Sequence, residues 1–217
     1  MQQYQYILFD LDGTLTDPAL GITNSVIHAL GRFGISVTDR KELYPFIGPP
    51  LTDSFRRFYG FSEEQAAQAV EYYREYFKDK GIFENTLIDG AEPLLKSLKQ
   101  HGKTVILATS KPLVFADRIL KHFSLDRYFD FTCGSELDGR LTDKAEVIGE
   151  ALRQAGITDC SRAVMIGDRS YDMIGATKNG LTPVGVLFGY GSREELTDAG
   201  AVFLAESMDA LSRYLLQ

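Results

Sequence analysis

The sequence predicts an α/β protein, built as a doubly wound parallel sheet that carries a small inserted helical domain. Five short apolar runs are typical of strands buried on both faces of a parallel sheet. These runs are Tyr6 to Phe9, Thr104 to Ala108, Phe129 to Thr132, Ala163 to Ile166 and Pro183 to Leu187. Helical patterns separate most of them, at Ala91 to Gln100, Leu113 to His122, Ala145 to Gln154 and Tyr171 to Asn179. This alternation favours a sheet with helices on both faces.

The inserted domain is predicted from the long interval between the first two strands. Within this interval, the stretch 16–85 alone contains about seventy residues, where a crossover helix would need far fewer. Helical patterns fill the interval at Gly21 to Phe33, Arg40 to Phe46 and Thr52 to Tyr59, and a fourth starts after the capping residue Ser62. We therefore predict a core domain formed by residues 1–15 and 86–217, and a helical cap domain formed by residues 16–85.

The composition is that of an ordinary soluble globular enzyme. The 217 residues are 44% hydrophobic and 24% charged, and the formal net charge is −7. This charge would repel a phosphate backbone, so we expect no nucleic acid partner. We expect no membrane association, because charges or breakers interrupt every apolar run before it reaches the roughly twenty residues of a spanning helix. The N-terminal residues show no signal-peptide pattern, which favours a cytoplasmic location, and we expect a monomer, with a dimer as the alternative.

Two aspartates directly follow the first predicted strand. Asp10 and Asp12 are separated by one residue, and Gly13 permits the tight turn that would aim both carboxylates at one site. Ligands of open α/β sheets bind at the carboxyl ends of the strands. Carboxylates a few ångströms apart repel each other by about 4 kcal/mol, so a shared proton or a bound cation is needed, and a metal is the simpler answer. The alternative is a plain turn, where Asp and Gly are common.

Polar residues follow two further predicted strands. Thr109, Ser110 and Lys111 follow the second strand, and Asp168 and Asp172 follow the fourth. Three strand ends would thus bring carboxylates, hydroxyls and amines to one edge of the sheet.

The ordered set of motifs resembles the haloacid dehalogenase superfamily of phosphohydrolases, in its phosphoglycolate-phosphatase-like branch. The motif Asp-x-Asp-Gly-Thr is present as Asp10 to Thr14, and a Thr that ends a strand is present as Thr109. A lysine that opens a helix is present as Lys144, and the motif Gly-Asp-x-x-x-Asp is present as Gly167 to Asp172. The helical insertion after the first motif is also similar to this branch.

Three other stretches bear on the resemblance. The run Gly189-Tyr190-Gly191, followed by Glu194-Glu195-Leu196, looks like the same branch. The stretch from Gly134 to Arg140 is more similar to 5′-nucleotidase-like members. The lysine motif departs from the family pattern, because Ala145 and Glu146 stand where prolines are common.

The resemblance implies a Mg²⁺-dependent phosphatase that hydrolyses a small phosphate monoester, similar to phosphoglycolate or a nucleoside 5′-monophosphate. Asp10 would attack phosphorus and become an aspartyl phosphate, which water then hydrolyses. Asp12 would protonate the leaving oxygen and afterwards activate that water. The Mg²⁺ ion would be held by Asp10, the backbone carbonyl of Asp12, and Asp168.

Other residues would bind the phosphoryl group or support the metal site. The resemblance assigns Thr109, the backbone amide of Ser110 and Lys144 to the phosphoryl oxygens. It places Asp172 beside the metal ligands, where it would orient a water or Lys144. Each role has an alternative: Thr109 and Ser110 could cap the next helix, and Lys144 could be a solvated residue. Lys111 competes with Lys144 for the phosphate, and Asp172 could contact the metal directly or only stabilise its own helix terminus.

Two other functions fit the same residues. One is a phosphotransferase of the sugar-phosphate mutase type, in which the aspartyl phosphate is passed to a sugar hydroxyl. The other is a non-catalytic phosphate-binding or receiver-like module, since receivers also combine acidic residues, a Thr or Ser and a lysine on a parallel sheet. The long helical insertion argues against a receiver.

Overall fold

The structure is a computed structural model that describes residues 4–217. The chain divides into two compact units. One unit consists of the chain up to Asp17 together with Leu87–Gln217, and the other is Pro18–Thr86. The predicted limits of the inserted domain, 16 and 85, lie within two residues of these boundaries.

Eight strands form two sheets within residues 4–217. The strands are β1 (Tyr6–Phe9), β2 (Thr16–Asp17), β3 (Thr86–Leu87), β4 (Thr104–Pro112), β5 (Phe131–Ser135), β6 (Ala163–Gly167), β7 (Thr182–Val186) and β8 (Phe203–Ala205). β2 and β3 form a two-stranded sheet, and the other six form a parallel sheet in the order β5-β4-β1-β6-β7-β8. The chain adds strands first on one side of β1 and then on the other. The strand order therefore reverses between β1 and β6, which is where doubly wound sheets bind ligands.

Nine α-helices accompany the strands in the part of the chain that the structure describes. They are α1 (Ala19–Arg32), α2 (Leu51–Tyr59), α3 (Glu63–Phe77), α4 (Ala91–Gln100), α5 (Leu113–His122), α6 (Lys144–Gln154), α7 (Ser170–Lys178), α8 (Arg193–Asp198) and α9 (Met208–Leu215). Short 3₁₀ helices lie at Arg40–Phe46, Gly81–Phe83, Asp126–Tyr128 and Cys160–Arg162. The helices α1 to α3 belong to the inserted unit, and α4 to α9 belong to the unit that contains the large sheet.

Burial on both faces of the large sheet explains why its strands are continuously apolar. Leu8, Ile106 and Met165 lie in one buried cluster with side chains of α6 and α7. The neighbouring residues Ile7 and Val105 are also fully buried. Because successive strand side chains point to opposite faces, both faces must be covered by other elements.

The predicted fold class is confirmed, and most predicted elements lie close to their observed positions. β1, α4 and α5 have the predicted bounds. β5 begins two residues later than predicted, because Phe129 ends the 3₁₀ turn Asp126–Tyr128 and Asp130 uses its carboxylate to accept the Val105 N–H, 2.8 Å away. β8, α8 and α9 were not predicted; β8 has only three residues and lies at the edge of the sheet, so its apolar run is too short to stand out.

The inserted unit is helical, as predicted. α3 starts at a capping box, in which Ser62 Oγ accepts from Gln65 N at 3.2 Å and Gln65 Oε1 accepts from Ser62 N at 3.0 Å. This confirms Ser62 as the capping residue. The segment Arg40–Phe46 is helical over the predicted range, but it is a 3₁₀ helix that contains Pro45.

Within the inserted unit, α1 meets the 3₁₀ helix Gly81–Phe83 through two glycines. A Cβ atom on Gly21 would lie only 1.9 Å from the carbonyl oxygen of Gly81. A Cβ atom on Gly81 would lie 2.6 Å from Ser25 Oγ. The two backbones can approach this closely only because neither residue has a side chain.

Between residues 4 and 217, no helix is both long enough and apolar enough to cross a bilayer. The cytoplasmic location stays a prediction.

Gly21→Ala should destabilise the protein, because the added Cβ atom would collide with the carbonyl oxygen of Gly81. Overpacking of a buried contact costs about 1–3 kcal/mol in the free energy of unfolding. The matched control is Gly31→Ala in the same helix, where an added Cβ meets nothing within 4 Å. This control should be neutral, or stabilising by about 0.5–1 kcal/mol through helix propensity. Urea unfolding followed by circular dichroism measures both changes, and equal curves for the two variants would contradict the close contact.

Candidate active site

The loop after β1 turns sharply at the carboxyl end of the sheet. Asp10 N donates to Ile166 O at 2.9 Å, so Asp10 continues the pairing of β1 with β6. The carbonyl of Leu11 then accepts from Leu15 N and Thr16 N, at 2.9 and 3.0 Å. Gly13 has a φ of +78°, a left-handed conformation that favours glycine. The loop is thus an ordered turn that holds Asp10 and Asp12 at the end of β1.

Three carboxylates meet at the point where the strand order reverses. Asp10, Asp168 and Asp172 each offer an oxygen within 4.8 Å of the others, and all three residues are buried. Asp168 follows β6 and Asp172 lies in the first turn of α7. Asp10 and Asp168, both predicted as metal ligands, thus lie together, and the third member of the group is Asp172, which was predicted to lie beside the ligands.

Lys144 lies between two of these carboxylates. Its Nζ is 2.8 Å from Asp10 Oδ1, 2.9 Å from Asp172 Oδ1 and 3.2 Å from the carbonyl oxygen of Ala108. Its side chain is only 5% exposed, so it is not a solvated lysine. Asp172 Oδ2 also accepts from Arg169 N at 3.0 Å. Asp172 thus stabilises the start of its own helix and orients Lys144 at the same time.

The pKa values of these groups reflect burial and the repulsion between neighbouring carboxylates. Burial raises the pKa of Asp172 to about 6, although Lys144 lowers it, and burial together with Asp172 and Asp10 raises the pKa of Asp168 well above its usual range. Burial opposes the charge of Lys144, but Asp10 and Asp172 raise its pKa above the ordinary value. Lys144 is therefore charged, and Asp168 and Asp172 hold protons more readily than exposed aspartates do.

A second ion pair holds Asp12. Lys111 Nζ donates to Asp12 Oδ2, and the two side chains are 7% and 12% exposed. Burial raises the pKa of Asp12, and Lys111 opposes that rise. Lys111 was predicted to compete with Lys144 for the phosphate. In the structure each lysine pairs with a different aspartate of the first motif: Lys111 with Asp12, and Lys144 with Asp10.

Thr109 and Ser110 do not cap the following helix. Thr109 is buried, and its Oγ1 accepts from Lys111 N at 3.3 Å. The N-cap of α5 is Pro112, and no side chain caps that helix. The alternative of a capping role is therefore wrong. Thr109 and the partly buried Ser110 instead lie within β4, just past Leu107, the last β4 residue that pairs with β1.

The two oxygens of Asp168 have different environments. Oδ2 accepts from Tyr190 N at 2.8 Å. Oδ1 is buried and, within residues 4–217, has no hydrogen-bond partner. An unpaired buried carboxylate oxygen is costly, and beside two other carboxylates it is a position for a cation.

The role of the loop after β7 was not predicted from the sequence. The run Gly189-Tyr190-Gly191 lies against Asp168, and the Tyr190 hydroxyl donates to Asp17. Burial and Asp17 raise the pKa of Tyr190, so the hydroxyl keeps its proton. Glu195 Oε1 accepts from Ser170 N at 2.9 Å and from Arg169 Nε at 3.0 Å. The signal available in the sequence was the position of Gly189 and Gly191, three and five residues after the buried strand β7.

The three carboxylates and two lysines of this site lie within the part of the chain that matches a known protein family. The model of the haloacid dehalogenase-like hydrolases matches residues 7–186. This chain belongs to the haloacid dehalogenase-like hydrolase family. The match spans both aspartates of the first motif, Thr109, Lys144 and the acidic motif that ends at Asp172, so the resemblance is confirmed.

Individual relatives of this hydrolase cover most of its length. A 5′-nucleotidase of Pseudomonas aeruginosa is 50% identical over 194 residues, which cover 89% of this chain and 87% of that protein. The tyrosine-protein kinase PtkA of Mycobacterium tuberculosis is 38% identical over 213 residues, which cover 97% of this chain and 72% of that protein. The crystal structure of a predicted phosphatase from Clostridium acetobutylicum matches with a TM-score of 0.95 and 52% identity over 99% of both chains. The prediction of an enzyme of the family's phosphatase class is confirmed.

Lys144→Met should strongly destabilise this hydrolase. The change leaves Asp10 and Asp172 buried without their cation, and breaking a buried ion pair costs about 3–5 kcal/mol. The matched control is Lys99→Met, which breaks a 2.5 Å pair with Asp130 whose side chains are 31% and 35% exposed. Exposed pairs contribute only about 0–1 kcal/mol. Urea unfolding at pH 7 compares the two, and similar losses would show that burial does not set the strength of the Lys144 pairs.

Proposed function

We propose that this hydrolase is a Mg²⁺-dependent phosphatase that cleaves small phosphate monoesters through an aspartyl phosphate on Asp10. The observation that carries the proposal is the meeting of Asp10, Asp168 and Asp172 around Lys144 at the end of the sheet. A nucleophile next to a cation site and a fixed ammonium is the arrangement that phosphoryl transfer requires.

The donor set fits Mg²⁺. When ionised, the three carboxylates carry −3 and Lys144 carries +1, which leaves −2 for a divalent cation to balance. Mg²⁺ prefers oxygen ligands and commonly keeps several waters, so one or two carboxylates suffice. Asp10, the backbone carbonyl of Asp12, and Asp168 through its unpaired Oδ1 would hold the ion. When bound, Mg²⁺ would neutralise charge on the phosphoryl oxygens.

Asp10 is the proposed nucleophile. Lys144 holds Asp10 Oδ1 at 2.8 Å, so attack on phosphorus falls to Oδ2. A bond forms between Oδ2 and phosphorus while the bond from phosphorus to the leaving oxygen breaks, and the leaving oxygen takes a proton from Asp12. A water that gives its proton back to Asp12 then attacks phosphorus and releases inorganic phosphate from Asp10.

Asp12 suits the acid role because burial raises its pKa, so it binds a proton more readily than an exposed aspartate. Lys111 holds its carboxylate in place between the two half-reactions. Thr109, the backbone amide of Ser110 and the charged Lys144 would stabilise the oxygens of the phosphoryl group during transfer.

Nucleoside 5′-monophosphates are the proposed substrate class. The support is the relative of Pseudomonas aeruginosa, which is named a 5′-nucleotidase and is 50% identical to this chain over 194 residues. Phosphoglycolate is the second class, from the resemblance of the motifs to that branch. The expected partner is thus a small phosphate ester bound by a monomer, with a dimer as the alternative.

Asp10→Asn should abolish hydrolysis of p-nitrophenyl phosphate. Loss of a nucleophile lowers kcat by about 10⁴-fold or more. The matched control is Asp159→Asn, which changes an exposed aspartate at the N-cap of a 3₁₀ helix and should leave kcat unchanged. Release of phosphate is measured with and without Mg²⁺. Near-normal Mg²⁺-dependent turnover by Asp10→Asn would mean that another group attacks phosphorus.

A panel of phosphate esters should rank nucleoside 5′-monophosphates first by kcat/KM. The panel contains AMP, UMP, phosphoglycolate and glucose 1-phosphate, because discrimination between substrates is the ratio of these constants. A sugar phosphate that isomerises without release of phosphate would favour the mutase-type reaction instead. Transfer from ATP to a tyrosine peptide, with no phosphatase activity, would favour the reaction named in the mycobacterial relative.

A further inference from the structure

The loop after β7 encloses Asp168. Tyr190 N donates to Asp168 Oδ2 at 2.8 Å. A Cβ atom on Gly189 would lie 2.4 Å from Asp168 Cβ, and one on Gly191 would lie 2.0 Å from the Asp168 carbonyl oxygen. The loop lies so close to Asp168 that only glycines fit on either side of Tyr190.

The side chain of Tyr190 connects this loop to the one that carries the nucleophile. Its hydroxyl donates to Asp17 Oδ1. Asp17 belongs to β2, which is joined to the turn after β1: Gly13 N donates to Thr16 O at 2.7 Å, and Thr16 N donates to Leu11 O at 3.0 Å. Asp17 is therefore an exposed residue that is tied by these hydrogen bonds to the loop that starts at Asp10.

The contacts form a closed ring around Asp168. Gly13, in the nucleophile loop, lies so close to Asp168 that an added Cβ would be 2.2 Å from Oδ2. Tyr190 approaches the same oxygen with its backbone N–H and reaches the nucleophile loop again with its hydroxyl. One residue thus joins the loop of Asp10 to the loop of Asp168 from outside the acidic cluster.

We propose that Tyr190 is a positioning residue of the cation site, which holds Asp168 beside Asp10 by bonding to Asp168 with its backbone and to Asp17 with its hydroxyl. This inference rests on the proposed function, because the cation is taken to be Mg²⁺. Tyr190 has no direct part in the chemistry. It sets the fraction of molecules in which Asp168 Oδ1 lies where the ion binds.

The hydroxyl is needed because glycines on both sides make the loop flexible. Without it, the loop samples other conformations, and apparent affinity falls in proportion to the fraction that is competent to bind. Groups that orient metal ligands from outside typically change affinity by about 10–100-fold. We expect an effect at the lower end, about tenfold, because the backbone N–H of Tyr190 is retained in the variant.

The test is Mg²⁺ titration of the full chain by calorimetry, without substrate, for the wild type and Tyr190→Phe. The expected result is an apparent Kd for Mg²⁺ raised about tenfold, with kcat at saturating Mg²⁺ close to that of the wild type. The matched control is Tyr128→Phe, which removes a 2.9 Å bond from a partly buried tyrosine hydroxyl to Glu92 in the same unit. This control should leave the Kd unchanged.

Variants of Asp17 test the bond from its other side. Asp17→Ala should raise the Kd as much as Tyr190→Phe does, and the double variant should be no worse than either single one, because both remove the same bond. Asp17→Asn keeps an oxygen that can accept from the Tyr190 hydroxyl. Its affinity for Mg²⁺ should therefore be closer to that of the wild type than to that of Asp17→Ala.

The possible outcomes separate this inference from the proposed function. If the wild type binds Mg²⁺ and Tyr190→Phe has the same Kd, or if Tyr128→Phe raises the Kd equally, the positioning role is overturned while the proposed function stands. A wild type that neither binds Mg²⁺ nor shows Mg²⁺-dependent hydrolysis overturns the proposed function and this inference with it.

Discussion

The ammonium of Lys144 lies 2.8 Å from Asp10 and 2.9 Å from Asp172, and the acidic cluster depends on that double ion pair. Neighbouring buried carboxylates repel each other by several kcal/mol, and one fixed cation reduces this cost without removing it. Lys144 is the first residue of α6, a helix that packs on β4, β5 and α7. Core packing therefore fixes the position of the positive charge, and the remaining negative charge is what the proposed divalent ion would balance.

Small residues make this concentration of charge sterically possible. A Cβ atom on Gly167 would lie 2.1 Å from Asp172 Cγ, and one on Gly175 would lie 3.1 Å from Lys144 Cγ. Gly13 and Gly189 approach Asp168 just as closely. Acidic side chains are thus packed against bare backbone, in spaces that a larger residue could not share. Because the buried carboxylates repel one another, their positions depend on the packing of the strands and helices that carry them.

Much of the site could be predicted because strand ends converge in any parallel sheet. Apolar runs located the ends of β1 and β6 to within one residue, whereas β4 continues four residues past its predicted end, to Pro112. The polar residues at these positions still had to share one edge of the sheet. Pairing could not be predicted, since nothing in the sequence decides that Lys111 binds Asp12 while Lys144 binds Asp10. The role of Tyr190 was also invisible, because its bond to Asp17 spans 173 positions and depends on the full three-dimensional arrangement.

The two lysines give the two aspartates of the first motif different electrostatic surroundings. Asp10 is held by Lys144, which it shares with Asp172, and it belongs to the group of three carboxylates. Asp12 has its own lysine and a raised pKa, and its carboxylate lies outside the group formed by Asp10, Asp168 and Asp172. A nucleophile must stay ionised, whereas a general acid must bind and release a proton. Two like residues separated by one position can therefore take opposite roles, because each faces a different set of charges.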